Sequence, residues 1–428
     1  MTNTLKQRIS KITLGAATAA LTLAFVIGLG MVGAPSAQAQ TFTLLHSFTG
    51  SPDGANPYAT VIMDASGNLY GTTGNGGHYG NGTVFKVDTS GTETILHNFS
   101  GGWDGYGPSS LTFDASGNLY GSTAYGGGGG CTYGCGVAYK LTPTSGGKWK
   151  ESVLYVFHNN GKDGINPSSS LVLDTSGALY GTTGQGGGYN LGVVFKLVPS
   201  GSGHWKERVL HTFTGRGDGS QPNGPVIFDT LGNLYGTTYS GGAYRQGVVF
   251  KLTPTSGGKW PEAVLYNFQN NGSDGQNPVG PIVFDESGNL YGTTEFGGGC
   301  QGCGYEGTVF ELTPNAHGQW TEQVLHAFSG TPDGRAPTGG VTLDGVGNLY
   351  GTTQAGGTSD SGTVFEMTRN QDGSWLENVL YSFTGGTDGQ GPYEGVVLDG
   401  TGNLYGTAYY GGDNVCQGGC GTVWKLTP

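Results

Sequence analysis

Charge is scarce in this chain. Asp, Glu, Lys and Arg make up 11% of its 428 residues, where a globular protein carries roughly 25%. The 18 basic residues are outnumbered by 30 acidic ones, giving a net charge of −12, and no basic stripe gathers anywhere. Neutralising a phosphate backbone takes clustered Lys and Arg, so nucleic acid is excluded as a partner. Helical periodicity is missing after residue 40, and so is a second apolar run long enough to cross a bilayer. No G-x-S-x-G opens a helix and no H-E-x-x-H occurs, which removes the usual signatures of Ser hydrolases and zinc proteases. An EF-hand loop is absent as well, and neither a metal nor a cofactor is expected.

Glycine fills the space instead, with 87 residues against an average of about 7%. There is no Gly-X-Y period, which excludes collagen. The glycines fall between runs of Val, Leu, Phe, Tyr and Thr, the punctuation of many short strands. At the N-terminus, Lys6, Arg8 and Lys11 precede an apolar stretch from Ile12 to Ala34, followed by the A-x-A site Ala37-Gln38-Ala39. Residues 1–39 therefore read as a signal peptide and 40–428 as one mature domain, secreted or held in the periplasm or cell envelope. An uncleaved anchor is the alternative, disfavoured by the A-x-A site and Pro35. No hydrophobic tail precedes Pro428, and a soluble monomer without membrane contact is expected after cleavage.

One phrase recurs seven times, first as Asp64-Ala-Ser-Gly-Asn-Leu-Tyr-Gly-Thr-Thr73. Its tyrosines are Tyr70, Tyr120, Tyr180, Tyr235, Tyr291, Tyr350 and Tyr405, spaced by 50 to 60 residues, a period that signals a propeller or solenoid. In the fourth copy, alternation and turns predict strands over 225–229, 233–238, 247–254 and 260–268. Four hairpin-linked strands make a propeller blade. The last copy stops after its third strand, at Pro428, and the missing fourth stands at the other end: Thr43-Leu-Leu-His-Ser-Phe48 matches Ile95-Leu-His-Asn-Phe99 and Val379-Leu-Tyr-Ser-Phe383. The expected fold is an all-β, seven-bladed β-propeller with four antiparallel strands per blade, closed by the N-terminal strand completing the last blade.

Gly-Asn-Leu-Tyr-Gly-Thr-Thr, then Gly-Gly, Gly-Thr-Val-Phe-Lys-Leu-Thr-Pro and Leu-Tyr-Ser-Phe resemble the repeat of the GloVer-containing tandem-repeat proteins of bacteria, over essentially the whole mature chain. The resemblance implies an exported propeller in a family with varied C-terminal anchors and no settled activity. No such anchor is expected on this chain, which weakens an expectation of surface attachment.

The shared residues have structural reasons. Asp53, Asp104, Asp163, Asp218, Asp274, Asp333 and Asp388 each begin Asp-Gly-x-x-Pro, which is turn chemistry. Asp64 and its equivalents read as hairpin caps, and Trp149, Trp205, Trp260, Trp320 and Trp375 as repeated packing. His46, His97, His211 and His326 exchange with Tyr155, Tyr266 and Tyr381, which speaks against catalysis.

Function must lie where the copies differ, in the Asp-Gly and Gly-Gly loops expected around one channel mouth. The candidates are Tyr58, Trp103, Tyr106 and Arg335 in the first loop class. Tyr125, Tyr189, Tyr244, Arg245, Phe296, Glu306, Tyr409 and Tyr410, with Tyr79, belong to the second. Tyr and Trp on rigid loops suit recognition, sugars included, although the same rings can shield Gly-rich backbone. Cys131 with Cys135, Cys300 with Cys303, and Cys416 with Cys420 are expected as disulfides pinning Gly-Gly loops. Zinc is the runner-up for these cysteines, at a spacing that lacks a His partner. The expected function is a binding or interaction scaffold for a glycan or cell-surface ligand. A carbohydrate-active enzyme using Glu295, Glu306, Arg245, Arg335 or His78 is the first alternative, and a structural envelope protein the second. Enzyme activity is the less favoured reading because no spacing pairs those residues.

Overall fold

Each repeat contributes one twisted antiparallel sheet, ordered from a short inner strand to a long outer one. A computed structural model of the chain describes residues 40–201, 203, 205–299, 306–413 and 415–428. Seven sheets, each four strand positions wide with the innermost split in two in the first and second blades, form a seven-bladed β-propeller, and no helix occurs among the described residues. In the fourth blade the strands are Ile227–Phe228, Leu234–Thr238, Val248–Leu252 and Glu262–Asn267, paired in that order. The expected strands overrun these by a residue or two because the flanking Asp229 and Pro254 lie outside the ladder. Residues 1–39, expected as a signal peptide, and the expected Cys300–Cys303 disulfide lie outside the described residues.

The last sheet is completed from the other end of the chain. Thr41–Ser47 pairs antiparallel with Thr422–Thr427, which continues to Leu404–Ala408 and Val397–Leu398. Its register shifts between Leu44 and His46, as every other outer strand shifts at the equivalent point, Val84/Phe85 in the first blade. A shared bulge gives the outer strands a common added twist.

The core lies between blades. Tyr70, Val84 and Phe99 of the first blade pack with Leu111, Leu119, Tyr139 and Leu141 of the second. The Gly of Leu-Tyr-Gly-Thr is required by close approach: a Cβ on Gly71 would strike the Phe85 ring, and one on Gly406 the Trp424 ring. Five of the seven repeat tyrosines also meet the Trp of the next blade, among them Tyr70 with Trp149 at 6.4 Å and Tyr180 with Trp260 at 6.1 Å between ring centroids. A second seam contact joins the Gly before each third strand to the Pro of the following Asp-Gly-x-x-Pro. Gly82 abuts Pro108, Gly247 abuts Pro278 and Gly421 abuts Pro57, all at φ near 93–94°.

The acidic series are caps. Asp64 accepts from the backbone of Ser66 and Asn68 at 2.9 and 3.0 Å and from the Tyr70 hydroxyl at 3.1 Å. Asp53 accepts from Thr49 and from His46 at 3.2 Å, while Asp163 and Asp274 accept from Tyr155 and Tyr266 at 2.9 Å. His and Tyr exchange because either can donate to the same carboxylate.

Two blades break the pattern. Tyr139 and Trp424 stand where Phe85, Phe195, Phe250, Phe310 and Phe365 stand, both fully buried, and neither the Tyr139 hydroxyl nor the Trp424 indole N–H has a hydrogen-bond partner among the described residues. Tyr139→Phe is expected to stabilise the fold by about 1–2 kcal/mol, read as a raised melting temperature; an unchanged or lower one would show that the hydroxyl is satisfied.

Candidate functional site

The residues that differ between blades meet at the propeller axis. One or both of the positions after each Asp-Gly-x-x-Pro proline, and in three blades the residue after Leu-Tyr-Gly-Thr-Thr, line a central channel. Tyr58, Ser110, Ser168, Asn223, Val279, Thr338, Tyr393 and Glu394 come from the first class, and Tyr239, Glu295 and Gln354 from the second. The cavity they line holds about 900 Å³. The repeat fixes the strand path, and at these positions the copies differ.

Tyrosines crowd one side of the mouth. Tyr393 lies 5.2 Å from Tyr409 and 6.1 Å from Tyr58 between ring centroids, Tyr58 lies 6.2 Å from Tyr409, and Tyr410 packs on Tyr409 at 4.6 Å. The backbone is tied across the closing seam, where the Asn56 side chain donates to the Tyr409 carbonyl at 3.0 Å. Thr338 donates to the Tyr393 carbonyl at 2.6 Å.

Two carboxyls face this cluster. Thr60 donates to Glu394 at 3.2 Å. Burial pushes the Glu394 carboxyl up to about 8, partly offset by the Thr60 bond, so it is largely protonated at neutral pH. Burial likewise raises Glu295, with Tyr239 beside it lowering it in part. Burial, then the Glu394 charge, pushes Tyr58 up to about 12. The result is a concave surface of phenol faces with hydroxyl and carboxyl donors between them.

Of the residues expected from sequence, Tyr58 and Tyr409 belong to this cluster, with Tyr410 packed behind. Trp103 and Tyr106 line a separate hollow over the second blade together with Tyr133. Tyr125 stacks on Tyr106 at 5.1 Å and shares with Tyr189 a groove between the second and third blades. Tyr244, Arg245, Phe296, Glu306 and Arg335 line none of these cavities. Arg335 pairs with Asp360 at 3.0 Å, Arg245 holds a turn at φ 64°, and the Glu306 carbonyl accepts from the Ala336 amide. Phe296 lies one residue beyond Glu295, and strand alternation turns it away from the channel. Tyr239, Gln354, Tyr393 and Glu394 were not singled out in the sequence. Their signal was available, since each occupies a fixed offset from a repeat Pro or Thr at which the copies disagree.

Disulfides join Cys131 to Cys135 and Cys416 to Cys420, with Cα separations of 5.2 and 5.1 Å. Among the described residues, His211, Asp218 and Glu262 bring one possible ligand atom each within 4.8 Å of one another, between the third and fourth blades. A divalent cation could use that spacing, although His211 and Asp218 also form the ordinary loop pair of every seam.

A family model described as the Gloeobacter/Verrucomicrobia repeat matches residues 30–133, 128–331 and 299–428. The chain belongs to this family. No curated protein matches it. Among solved structures, this repeat protein is similar to an ancestral GH74 enzyme at TM-score 0.54 and 11% identity, covering 87% of this chain and 48% of that one. It is also similar to the extracellular domain of the one-component system BT4673 from B. thetaiotaomicron, at TM-score 0.53 and 13% identity over 91% of this chain and 42% of that one. The family member thus spans about half the length of each of these two chains, and at such identities the likeness is one of fold.

Proposed function

We propose that this repeat-family protein is an exported propeller that binds carbohydrate at the mouth of its central channel. The observation that carries the reading is the convergence of Tyr58, Tyr393 and Tyr409 from both sides of the closing seam, within 6.2 Å of one another. Phenol rings offer flat apolar area at low entropic cost and keep a polar tip for hydroxyl groups. Glu394, Glu295, Gln354 and Tyr239 supply the few polar groups that fix orientation in a pocket. Export is supported by disulfides in a chain of this repeat type, which persist in oxidising compartments.

A glycan-array screen followed by titration is the test. Tyr409→Ala and Tyr393→Ala are each expected to weaken a captured glycan about tenfold, while Tyr244→Ala leaves its affinity unchanged. Affinity lost with Tyr244→Ala and kept with Tyr409→Ala would contradict the assignment. A catalytic reading is favoured by the place of Glu394 on the channel wall, where burial raises its carboxyl to about 8, the direction a general acid on a glycosidic oxygen requires. Under it, Glu394→Gln abolishes cleavage of the bound glycan while binding survives.

A further inference from the structure

We infer that the ligand is an extended, uncharged glycan whose chain leaves the channel mouth and lies along the groove between the second and third blades; this rests on the carbohydrate reading above. The groove encloses about 1040 Å³, beyond the roughly 300–1,000 Å³ of ordinary small-molecule pockets. It is continuous with the channel, because Ser168 and Asn223 line both. A smaller hollow of about 170 Å³, touched by Tyr58, Tyr409 and Ser168, bridges the tyrosine cluster to the same point. Together they form one track from the axis to the rim.

The chemistry of the track changes along its length. At the axis it carries Glu295 and Glu394, but no residue lining the groove is charged. Its polar groups are amides and hydroxyls. The side chains of Asn159, Gln185, Gln221 and Asn223 are exposed and make no hydrogen bond to the described protein. A primary amide offers both donors and an acceptor, matching a sugar hydroxyl, which needs both. Between these amides stand Tyr125, Tyr133 and Tyr189, exposed by 40%, 70% and 62%. Tyr125 is held by stacking on Tyr106, and Tyr133 by the loop that Cys131 and Cys135 close. Rigid rings of this kind lose little entropy on binding. An anionic polymer would find no Lys or Arg along the groove to neutralise it, and its charge would then meet two carboxyls at the axis.

Calorimetry separates the outcomes, using disaccharides and hexasaccharides of neutral β-glucan, xylan and mannan, with oligogalacturonate as the anionic control. For the neutral polymer that binds, the hexasaccharide is expected to exceed the disaccharide by at least about tenfold. Tyr189→Ala should cost roughly tenfold on the hexasaccharide and nothing on the disaccharide. Tyr189 is exposed, and an unchanged melting temperature confirms that the variant folds; Gln185→Ala, also exposed, serves as the second variant. Equal affinity for both lengths, with Tyr409→Ala weakening each, would overturn the groove and leave the channel-mouth reading standing. Tighter binding of oligogalacturonate would overturn the uncharged ligand. If none of the oligosaccharides binds, the track and the carbohydrate reading both fall.

Discussion

Deleting Thr41–Phe48 is expected to leave the chain unfolded, although the segment supplies only one strand. That strand is the outer edge of the last blade, and without it the backbone of Thr422–Thr427 loses its outer ladder along the whole length, keeping only the inner one to Leu404–Ala408. A newly exposed edge strand of this kind is an aggregation template. Phe42 goes too, with its stacking on Tyr381 at 4.3 Å, and so does Phe48, fully buried against Phe85 at 5.0 Å. Removing a buried Phe side chain alone costs about 3–5 kcal/mol, a large part of the roughly 5–15 kcal/mol by which a domain is stable. A peptide of residues 40–50 added in trans is expected to restore folding in part. Gly421→Ala attacks the same seam from the other side, since it adds a Cβ against Pro57 at a left-handed φ of 93°. It should cost at least about 2 kcal/mol. Truncated protein that melts at the temperature of the intact chain would show that the ring closes by other means.

Stability should fall as pH rises from 5 to 8, by roughly 5 °C in melting temperature. Glu93, Glu151, Glu207, Glu262, Glu322 and Glu377 occupy one position of successive outer strands. Each is buried against the loop Asp of the preceding blade and has an oxygen without a hydrogen-bond partner. Burial, reinforced by that Asp, pushes them up to about 7 for Glu93, Glu151 and Glu377 and about 8 for Glu207, Glu262 and Glu322. Unfolded, these carboxyls ionise near 4.5. Between 4.5 and 7–8 the folded state therefore binds more protons, and stability declines across that window. After screening by solvent each contributes about 1 kcal/mol.

Two groups of residues act the other way. Burial lowers His97 and His211, which costs stability below 6.5. The hairpin caps matter only in acid: burial raises Asp64, but the bonds from Asn68, Ser66 and Tyr70 outweigh it and hold it below 3.8. Their stabilisation is present above 3.8 and lost as pH falls through the lower folded value. Six glutamates outnumber two histidines, so the optimum lies on the acid side of neutral. At the seventh seam Phe42 takes the equivalent register place, opposite Leu426 as Glu93 is opposite Val87, so an uncharged side chain fits there. Glu207→Gln and Glu322→Gln should raise the melting temperature at pH 8 and flatten its slope. A melting temperature that climbs from pH 5 to pH 8 would contradict the sign.

The scaffold was legible because repetition averages out local ambiguity. A single copy of Leu-Tyr-Gly-Thr-Thr is a plausible strand; seven copies and a displaced fourth strand also fix blade number and closure. The inter-blade contacts were less legible. The Pro of Asp-Gly-x-x-Pro reads locally as a turn residue, yet it also presses on the Gly of the preceding blade, a pairing across about 30 residues of chain that turn rules do not describe. The buried glutamates were hidden because polar alternation in an outer strand looks solvent-facing, whereas here it faces the preceding blade. The candidate site was half visible. Aromatic loop residues drew attention to Trp103 and Tyr244, while Tyr393 and Glu394 sit one and two residues past a proline where strand direction, not composition, decides what reaches the axis.

The central claim is that shared residues build the ring and unshared ones bind. Titration of one captured neutral hexasaccharide against Tyr405→Phe and Tyr409→Ala tests it within a single strand and its following loop. Tyr405 is the repeat tyrosine bonded to Asp399 at 3.1 Å, and Tyr409 is the channel-mouth ring four residues on. The account predicts a lowered melting temperature with unchanged Kd for Tyr405→Phe, and a Kd raised about tenfold with an unchanged melting temperature for Tyr409→Ala. Wild-type affinity in Tyr409→Ala, or affinity lost in Tyr405→Phe at full stability, would contradict it.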